Sequence, residues 1–191
     1  MLFRSLSKEQ AAYARERMRN AGLADRVEIR IEDYRDVSQS FDKIVSIEMF
    51  EAVGEENWPV FFGAIRDRLR SGGRAGLQII TVAEERFQAY RRNVDFIRRY
   101  IFPGGMLPTK GIMKRQVEAL GMRFSEVLSL RLSYAETLRR WHERFLDRWD
   151  DIVPLGFDER FRRMWELYLC GCVASFSSGA TDVSQFLIER D

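Results

Sequence analysis

The feature that most constrains the fold is the hydrophobic pattern of the first half of the chain. It alternates between the period of about 3.6 residues typical of helices and the period of two typical of strands. Val27, Ile29 and Ile31 alternate with charged residues, which is typical of a half-buried strand. Short connections between alternating helices and strands favour an α/β fold with a parallel sheet. The predicted order is a helix at 7–20, a strand at 27–32, a more buried strand at 42–47, a helix at 55–70 and a strand at 76–82.

The second half of the chain departs from that rhythm. A short helix closed by Gly121 precedes a strand, and two long amphipathic helices then lead to a closing strand. The predicted ranges are 109–120, 122–132, 133–149, 158–177 and 183–188.

Two capping boxes predict where helices begin. In the first, the Ser7 hydroxyl accepts the N–H of Gln10, and the Gln10 side chain reaches back to the N–H of Ser7. Ser133 and Glu136 stand in the same relation further along the chain. We therefore expect helices to begin directly after Ser7 and after Ser133.

The composition excludes several classes of function. The chain has 191 residues, which suits a single domain over 1–191, and its net charge of +2 gives no argument for nucleic-acid binding. The single histidine, His142, excludes sites with two histidine ligands. The spacing of Cys170 and Cys172 fits neither a disulfide framework nor a zinc site. These two observations predict no metal site. No apolar run reaches the ~20 residues of a membrane span, so we expect a soluble cytoplasmic protein.

One segment, residues 86–115, is unusually basic. It carries eight basic side chains against a single acid, Asp95, and aromatic residues are interleaved with them. This combination suits an anionic, partly apolar surface such as a phospholipid membrane. A solvated helix face over a local core explains the same pattern. The basic residues are Arg86, Arg91, Arg92, Arg98, Arg99, Lys110, Lys114 and Arg115.

Five segments match the motifs of one family in the right order. They are residues 6–10, DYRD at 33–36, FDKIVSIEMFEAVG at 41–54, YIFPGGMLP at 100–108 and GFDERFRRMW at 156–165. Through these segments the chain resembles the cyclopropane-fatty-acyl-phospholipid synthases, which are relatives of the mycolic acid cyclopropane synthases. The resemblance implies a Rossmann-like, class I S-adenosylmethionine-dependent methyltransferase fold with a helical lipid-binding insertion.

The resemblance also implies a reaction. Such an enzyme adds the methyl carbon of S-adenosylmethionine across a cis double bond of a phospholipid acyl chain. An alkene is a poor nucleophile, so positioning supplies much of the rate. Aromatic faces can stabilise the carbocation that results, and a base must then remove a proton to close the ring. In family members that base is a bound bicarbonate, and the enzyme works at the anionic inner face of the membrane.

The family's catalytic positions carry over residue by residue. Glu51 matches the glutamate that holds the bicarbonate, and Tyr134 matches a tyrosine whose hydroxyl points at it. Ile47 and Ile80 match positions whose backbone lines the same pocket, and Gln78 stands where many members carry a histidine. From the residues alone, Glu51 is equally a helix-entrance acid favoured by the dipole, and Tyr134 is the first residue of an apolar stripe.

The cofactor positions lie near the predicted strand ends. Tyr34 corresponds to an aromatic residue beside the adenine, and Asp33 and Arg35 flank it where open α/β sheets bind ligands. Gln10 and Ser7 resemble positions that meet the ribose end. Ser7 is explained by helix capping as well.

Two residues depart from the family pattern close to the reaction. Gln78 can donate a hydrogen bond, but its amide cannot hold or relay a proton as an imidazole can. Glu48 replaces a small residue and places a second carboxylate three positions before Glu51.

A further departure concerns the start of the chain. The family's first strand and glycine-rich turn have no counterpart in this sequence, so we expect an N-terminally truncated domain, inactive by itself. Met1 to Ser5 would be a remnant of the family's second strand. The strand at 27–32 would then lack its neighbours and expose an edge, and the strand at 42–47 would lack the missing first strand.

Two alternative functions remain open at this point. A methyltransferase on the same scaffold could leave a methyl or methylene branch instead of a ring. A non-catalytic, peripheral lipid-binding module could use residues 86–115 alone, with salt-sensitive binding to anionic vesicles. The sequence leaves open the acyl chain, the headgroup and whether the chain forms a homodimer.

Overall fold

A computed structural model describes all residues from 1 to 191 and shows alternating helices and strands. Six strands and eight α-helices are joined by short loops and single 3-10 turns. In chain order they are β1 Leu2–Ser5, α1 Lys8–Asn20, β2 Glu28–Ile31, β3 Phe41–Ile47, α2 Trp58–Arg68, β4 Leu69–Val82, α3 Phe87–Arg92, α4 Phe96–Tyr100, α5 Lys110–Ala119, β5 Arg123–Ser129, α6 Arg131–Asp147, α7 Trp149–Ile152, α8 Glu159–Ser178 and β6 Thr181–Glu189.

The strands form two sheets. β1 and β2 pair in parallel, with Phe3 opposite Ile29, and the other four strands follow the order β3-β4-β6-β5. β3 and β4 are parallel, whereas β6 runs antiparallel to both of its neighbours. The α/β class is confirmed. The expectation that the strand at 27–32 lacks neighbours is wrong, because Leu2–Ser5 supplies one of them.

β3 is less buried than its apolar sequence predicts. It hydrogen-bonds only to β4 and has no strand on its other side. Ile44 packs against the main core, but Val45 is 72% exposed and Ile47 is 58% exposed. The strand therefore has one covered face and one open edge.

The predicted helix at 55–70 and strand at 76–82 meet earlier than expected. α2 ends at Arg68, and β4 begins at once with Leu69, which is 1% exposed and pairs with Phe41. The register then shifts before Lys43 pairs with Arg74. Gly72 takes a positive φ of 74° there, which glycine adopts without steric cost. Gly72 and Gly73 therefore form an irregularity inside β4.

The capping boxes are realised only in part. The Ser7 hydroxyl accepts the N–H of Gln10 at 3.1 Å, as predicted. The N–H of Ser7, however, donates to the Ser5 hydroxyl, which itself donates to the Gln10 side chain. The prediction at Ser133 is wrong, since α6 already begins at Arg131 without a side-chain cap. The N–H of Leu130 still donates to Val183 O on β6, which fixes where that helix begins.

The main core fixes the loop after β3 against α2. Pro59 lies in the first turn of α2, and one face of that helix buries aromatic side chains. Phe50, from the loop, stacks on Trp58 with ring centroids 5.5 Å apart and lies 5.1 Å from Phe62. Truncating a side chain buried like Phe62 to alanine typically costs about 3–5 kcal/mol. Because Phe50 is packed on α2, the next residue of the loop, Glu51, is held in a fixed position.

A smaller core joins α6 and α8 to β6. Its buried members include Leu138, Leu169 and Val183, and Tyr134 packs against it. No helix of the structure is both long enough and apolar enough to cross a membrane.

Candidate active site

Most of the predicted site residues lie at one end of the parallel strands. Ser7 follows β1, Asp33 follows β2 and Glu48 follows β3 directly. Gln78 lies in the half of β4 nearest that end, opposite Ile47 of β3. Carboxyl ends of parallel strands share one edge of a sheet, and ligands bind there in open α/β folds.

Glu51 lies in a 3-10 turn just beyond β3, and its carboxylate points at the backbone of β4. Oε1 accepts the N–H of Ile80 at 2.6 Å, while Oε2 is buried without a hydrogen-bond partner. Burial raises the pKa of Glu51 to about 7; the bond from Ile80 opposes the rise and the charge of Glu48 adds to it. A carboxyl group with that pKa can exchange a proton near neutrality.

A second carboxylate, Glu48, lies beside it in a hydrogen-bonded network. Its Oε1 accepts the hydroxyl of Tyr134 and, at 2.9 Å, the amide of Gln78. The same amide nitrogen lies 2.9 Å from the Tyr134 hydroxyl. Burial raises the pKa of Tyr134, and the bond to Glu48 raises it further, so the phenol stays protonated and donates.

The backbone of Glu48 is strained. It is the one non-glycine residue of the chain with a positive φ, at 48°. For a residue with a Cβ, such a conformation costs roughly 1–3 kcal/mol and persists only where the surroundings enforce it. The N–H of Glu48 donates to Gln78 O at 2.8 Å, which continues the β3–β4 pairing through the bend.

Gln185 is a member of this network that sequence reasoning did not find. It lies on β6 opposite Gln78, and its amide donates to Gln78 Oε1 at 3.1 Å. The pair depends on an antiparallel register between strands far apart in sequence, and no spacing motif encodes that register. Glu48 was visible as an unusual carboxylate near Glu51, but its bond to Tyr134 was not predictable.

The predicted cofactor residues cluster beyond β1 and β2. Arg35 donates to both oxygens of Asp33, and these bonds hold the pKa of Asp33 at about 2. The guanidinium groups of Arg4 and Arg35 both lie over the Tyr34 ring, which makes an edge contact with Phe61. Ser7 and Gln10 follow β1, and their polar atoms are engaged in hydrogen bonds at the start of α1.

Two polar atoms in this region are buried without hydrogen-bond partners. They are Tyr34 Oη and Glu32 Oε2, and the latter has a long ion pair with Arg30 at 3.9 Å. Unpaired buried polar atoms are costly, and a ligand with hydroxyl or amino groups would satisfy them. The region therefore fits a nucleoside such as that of S-adenosylmethionine. Glu32 and Tyr34 are the residues best placed to hold it.

Two aromatic side chains, Tyr134 and Tyr168, lie near Glu48. Tyr168 packs edge-on against Phe102 at 6.1 Å and lies 5.0 Å from Trp165. Burial raises the pKa of Tyr168 to about 12, with smaller contributions from Cys172 and from the charge of Glu48. Tyr134 packs on Phe176 at 5.7 Å. The network is thus bordered by rings that can face a cation.

The basic segment 86–115 divides into two groups. Arg98 donates to the carbonyls of Tyr90, Asn93 and Gly105 and so fixes the connection that follows α4. Three more basic side chains pair with acids: Arg91 with Glu55, Lys110 with Glu126 and Asp182, and Lys114 with Glu118. Four basic side chains have neither an acidic partner nor a side-chain hydrogen bond, namely Arg86, Arg92, Arg99 and Arg115.

The chain has the Rossmann-like fold of class I S-adenosylmethionine-dependent methyltransferases. The chain belongs to the mycolic acid cyclopropane synthetase family, whose model matches residues 4–186. The predicted family resemblance is thereby confirmed.

Individual relatives agree with this assignment. The chain is 47% identical over 188 residues to the tuberculostearic acid methyltransferase UfaA1 of Mycobacterium tuberculosis, covering 98% of this chain and 44% of that protein. It is 33% identical to the cyclopropane-fatty-acyl-phospholipid synthase of Escherichia coli, covering 97% and 46%. The crystal structure of mycolic acid cyclopropane synthase CmaA1 with SAH and CTAB superposes with a TM-score of 0.89 at 28% identity, covering 99% and 69%. The chain therefore spans about half the length of UfaA1 and of the Escherichia coli synthase.

Proposed function

We propose that this chain forms the catalytic region of an S-adenosylmethionine-dependent enzyme that modifies the cis double bond of phospholipid acyl chains, with cyclopropane formation as the leading reaction. The observation that carries the proposal is the half-buried Glu51, bonded to the Ile80 N–H beside Tyr134 and Gln78. Family membership supplies the reaction class. The five predicted catalytic residues are Glu51, Tyr134, Gln78, Ile47 and Ile80.

The residues of the chain have three tasks in this reaction. S-adenosylmethionine, when bound, supplies an electrophilic methyl group, and Glu32 and Tyr34 are the side chains with unsatisfied atoms to hold its nucleoside. Aromatic rings around Tyr168 stabilise positive charge on the acyl chain and exclude water. A carboxylate at the carboxyl ends of the strands accepts the proton that must leave the alkylated chain.

A branched product is the second candidate. UfaA1, at 47% identity, is named for tuberculostearic acid, whereas the cyclopropane synthase of Escherichia coli is 33% identical. Ring closure removes a proton from the transferred methyl group and uses the electron pair for a bond to the cationic carbon. Methylene formation first moves a hydride from the methyl-bearing carbon to the cationic carbon, and loss of a methyl proton then leaves a carbon–carbon double bond. A methylene branch and a ring are isomers, so proton magnetic resonance of the lipid is needed to separate them.

Binding at a membrane surface is part of the proposal. Arg86, Arg92, Arg99 and Arg115 have no acidic partner, and Tyr100 and Phe102 are exposed beside them in the chain. Basic side chains interleaved with exposed rings favour the anionic inner face of the membrane. We therefore propose a peripheral enzyme at the cytoplasmic surface of the membrane.

The proposed function is tested by replacing Glu51. E51Q keeps an acceptor for the Ile80 N–H but removes the carboxylate, so we expect lipid methylation to fall about 100-fold or more. The measurement is transfer of labelled methyl groups to unsaturated phospholipid vesicles by the protein expressed from its complete gene. E56Q, at an exposed carboxylate five residues away, is the matched control and should keep full activity. Equal activity of E51Q and wild type would refute the proposed role.

A further inference from the structure

The carboxylate of Glu48 is held in a built position at the end of β3. Tyr134 donates its hydroxyl to Oε1, and Gln78 donates its amide to the same atom at 2.9 Å. Gln185 in turn fixes Gln78 by donating to its amide oxygen at 3.1 Å. Three elements, β4, α6 and β6, therefore supply side chains that orient this one oxygen.

The other oxygen of Glu48 is free. Every hydrogen bond that the carboxylate accepts ends on Oε1, and the residue is exposed. The positive φ of 48° turns the chain sharply just after Ile47, and glycine would adopt it without strain. The chain thus tolerates a strained residue where it could have a small one, and the strain gives a carboxylate that is fixed at one oxygen and open at the other.

A bicarbonate ion does not fit this arrangement. The Tyr134 hydroxyl and the Gln78 amide, which would hold such an anion, already donate to Glu48. Glu51 lies three residues away with its Oε2 buried and unpaired, so an anion would also meet two carboxyl groups. Glu48 already fills the position in which an external anion would be bound.

We propose that Glu48 is the proton acceptor of the reaction and takes the place of bicarbonate. The inference rests on the proposed function and assigns the base within it. A C–H bond of the alkylated acyl chain breaks, and its proton passes to the free oxygen of Glu48. The electron pair of that bond forms the third carbon–carbon bond of the ring, or a carbon–carbon double bond in a branched product, and the positive charge on the chain is neutralised. Tyr134 and Gln78 are positioning residues for this carboxylate.

The test compares wild type with E48G and E48Q. E48G suits the positive φ, so it should fold as well as wild type while removing the carboxylate and freeing Tyr134 and Gln78. E48Q keeps the shape of the side chain without a base. Binding is measured directly by the carbon-13 resonance of labelled bicarbonate, with no cofactor or lipid present. We expect no broadening with wild type or E48Q and clear broadening with E48G.

Activity supplies the second readout. In carbonate-free buffer, wild type should keep its rate within two-fold, whereas E48G and E48Q should lose about 100-fold or more. Added bicarbonate should restore E48G at least ten-fold and leave E48Q inactive. The proposal is overturned if wild type broadens the bicarbonate resonance or loses activity without carbonate. It is also overturned if E48Q is as active as wild type. Absence of any lipid methylation by wild type in both buffers would instead refute the proposed function itself.

Discussion

At the scale of single residues, Glu51 is placed at a cost to stability. Burial raises its pKa from 4.5 to about 7, so the folded state binds more protons than the unfolded state between those values. The contribution of Glu51 to stability is therefore most favourable below pH 4.5 and declines as the pH rises through 7. A group placed for chemistry lowers the free energy of unfolding at the pH where it works.

This cost gives a prediction for E51Q. Because glutamine keeps an acceptor for Ile80 and carries no charge, the variant should be more stable than wild type at pH 8 by up to about 3 kcal/mol. At pH 5 the two should be nearly equal. Urea unfolding at both pH values measures the difference, and E56Q serves as the neutral control. A wild type whose stability relative to E51Q is the same at pH 5 and pH 8 would contradict the burial of Glu51.

The residues of the site were only partly predictable from the sequence. Glu51, Tyr134 and Gln78 were named through family motifs, and the structure brings the three together. The contact between Gln78 and Gln185 depends on strand register, and the position of Glu48 depends on a backbone φ of 48°. Neither leaves a local sequence pattern, because both are set by tertiary pairing.

At the scale of elements, the basic segment 86–115 has two separate uses. Arg98 bonds three carbonyls and lies over the Tyr90 ring, so it is part of the fold. Arg92 and Arg99 have no acidic partner and belong to the short helices α3 and α4. Charge counting along the sequence could not separate these groups, because the partners are distant in the chain or are backbone atoms.

The division predicts which arginines bind lipid. R92Q/R99Q should weaken binding to anionic phospholipid vesicles more than R91Q/K114Q, although both variants remove two positive charges. Each free basic side chain near the surface contributes up to about 1 kcal/mol, whereas Arg91 and Lys114 are engaged with acids. Vesicle co-sedimentation at several salt concentrations measures this. Equal losses in the two variants, or binding insensitive to salt, would show that the free arginines do not contact the membrane.

Element boundaries were predicted well where local signals act alone. The starts of α1 and α5 follow the side-chain caps Ser7 and Thr109. The start of α6 does not follow Ser133, since pairing between Leu130 and Val183 extends the sheet up to the helix. Tertiary pairing overrides the local capping signal at that point.

At the scale of the whole molecule, the exposed surface is large. The accessible area is 12030 Å² for 22.5 kDa, whereas a monomeric protein of this mass exposes about 9,500 Å². Several large apolar side chains contribute to this surface: Val45, Ile47, Phe3 and Ile31 are all about half exposed or more. One contact between the β1–β2 part and the rest of the chain joins Tyr34, in the loop after β2, to Phe61 on α2.

This surface predicts a weakly stable chain. Residues 1–191 expressed alone should show a low or poorly cooperative thermal transition. The reason is that β3 has an open edge and exposed apolar side chains, so the chain buries too little apolar area. S-adenosylmethionine should bind it weakly or not at all, since its predicted residues follow the strands of the separate two-stranded β1–β2 sheet. Calorimetry measures both properties. A sharp transition at high temperature, or low-micromolar affinity, would contradict the prediction.

The central claim is that this family member transfers a methyl carbon to the double bond of a lipid. The most direct measurement gives the protein expressed from its complete gene carbon-13 methyl-labelled S-adenosylmethionine and vesicles of an unsaturated phospholipid. Proton and carbon magnetic resonance then locate the label. We predict one labelled carbon per modified acyl chain, bonded at the former double bond as a ring or a branch. Label in the headgroup alone, or unlabelled lipid, would contradict the account.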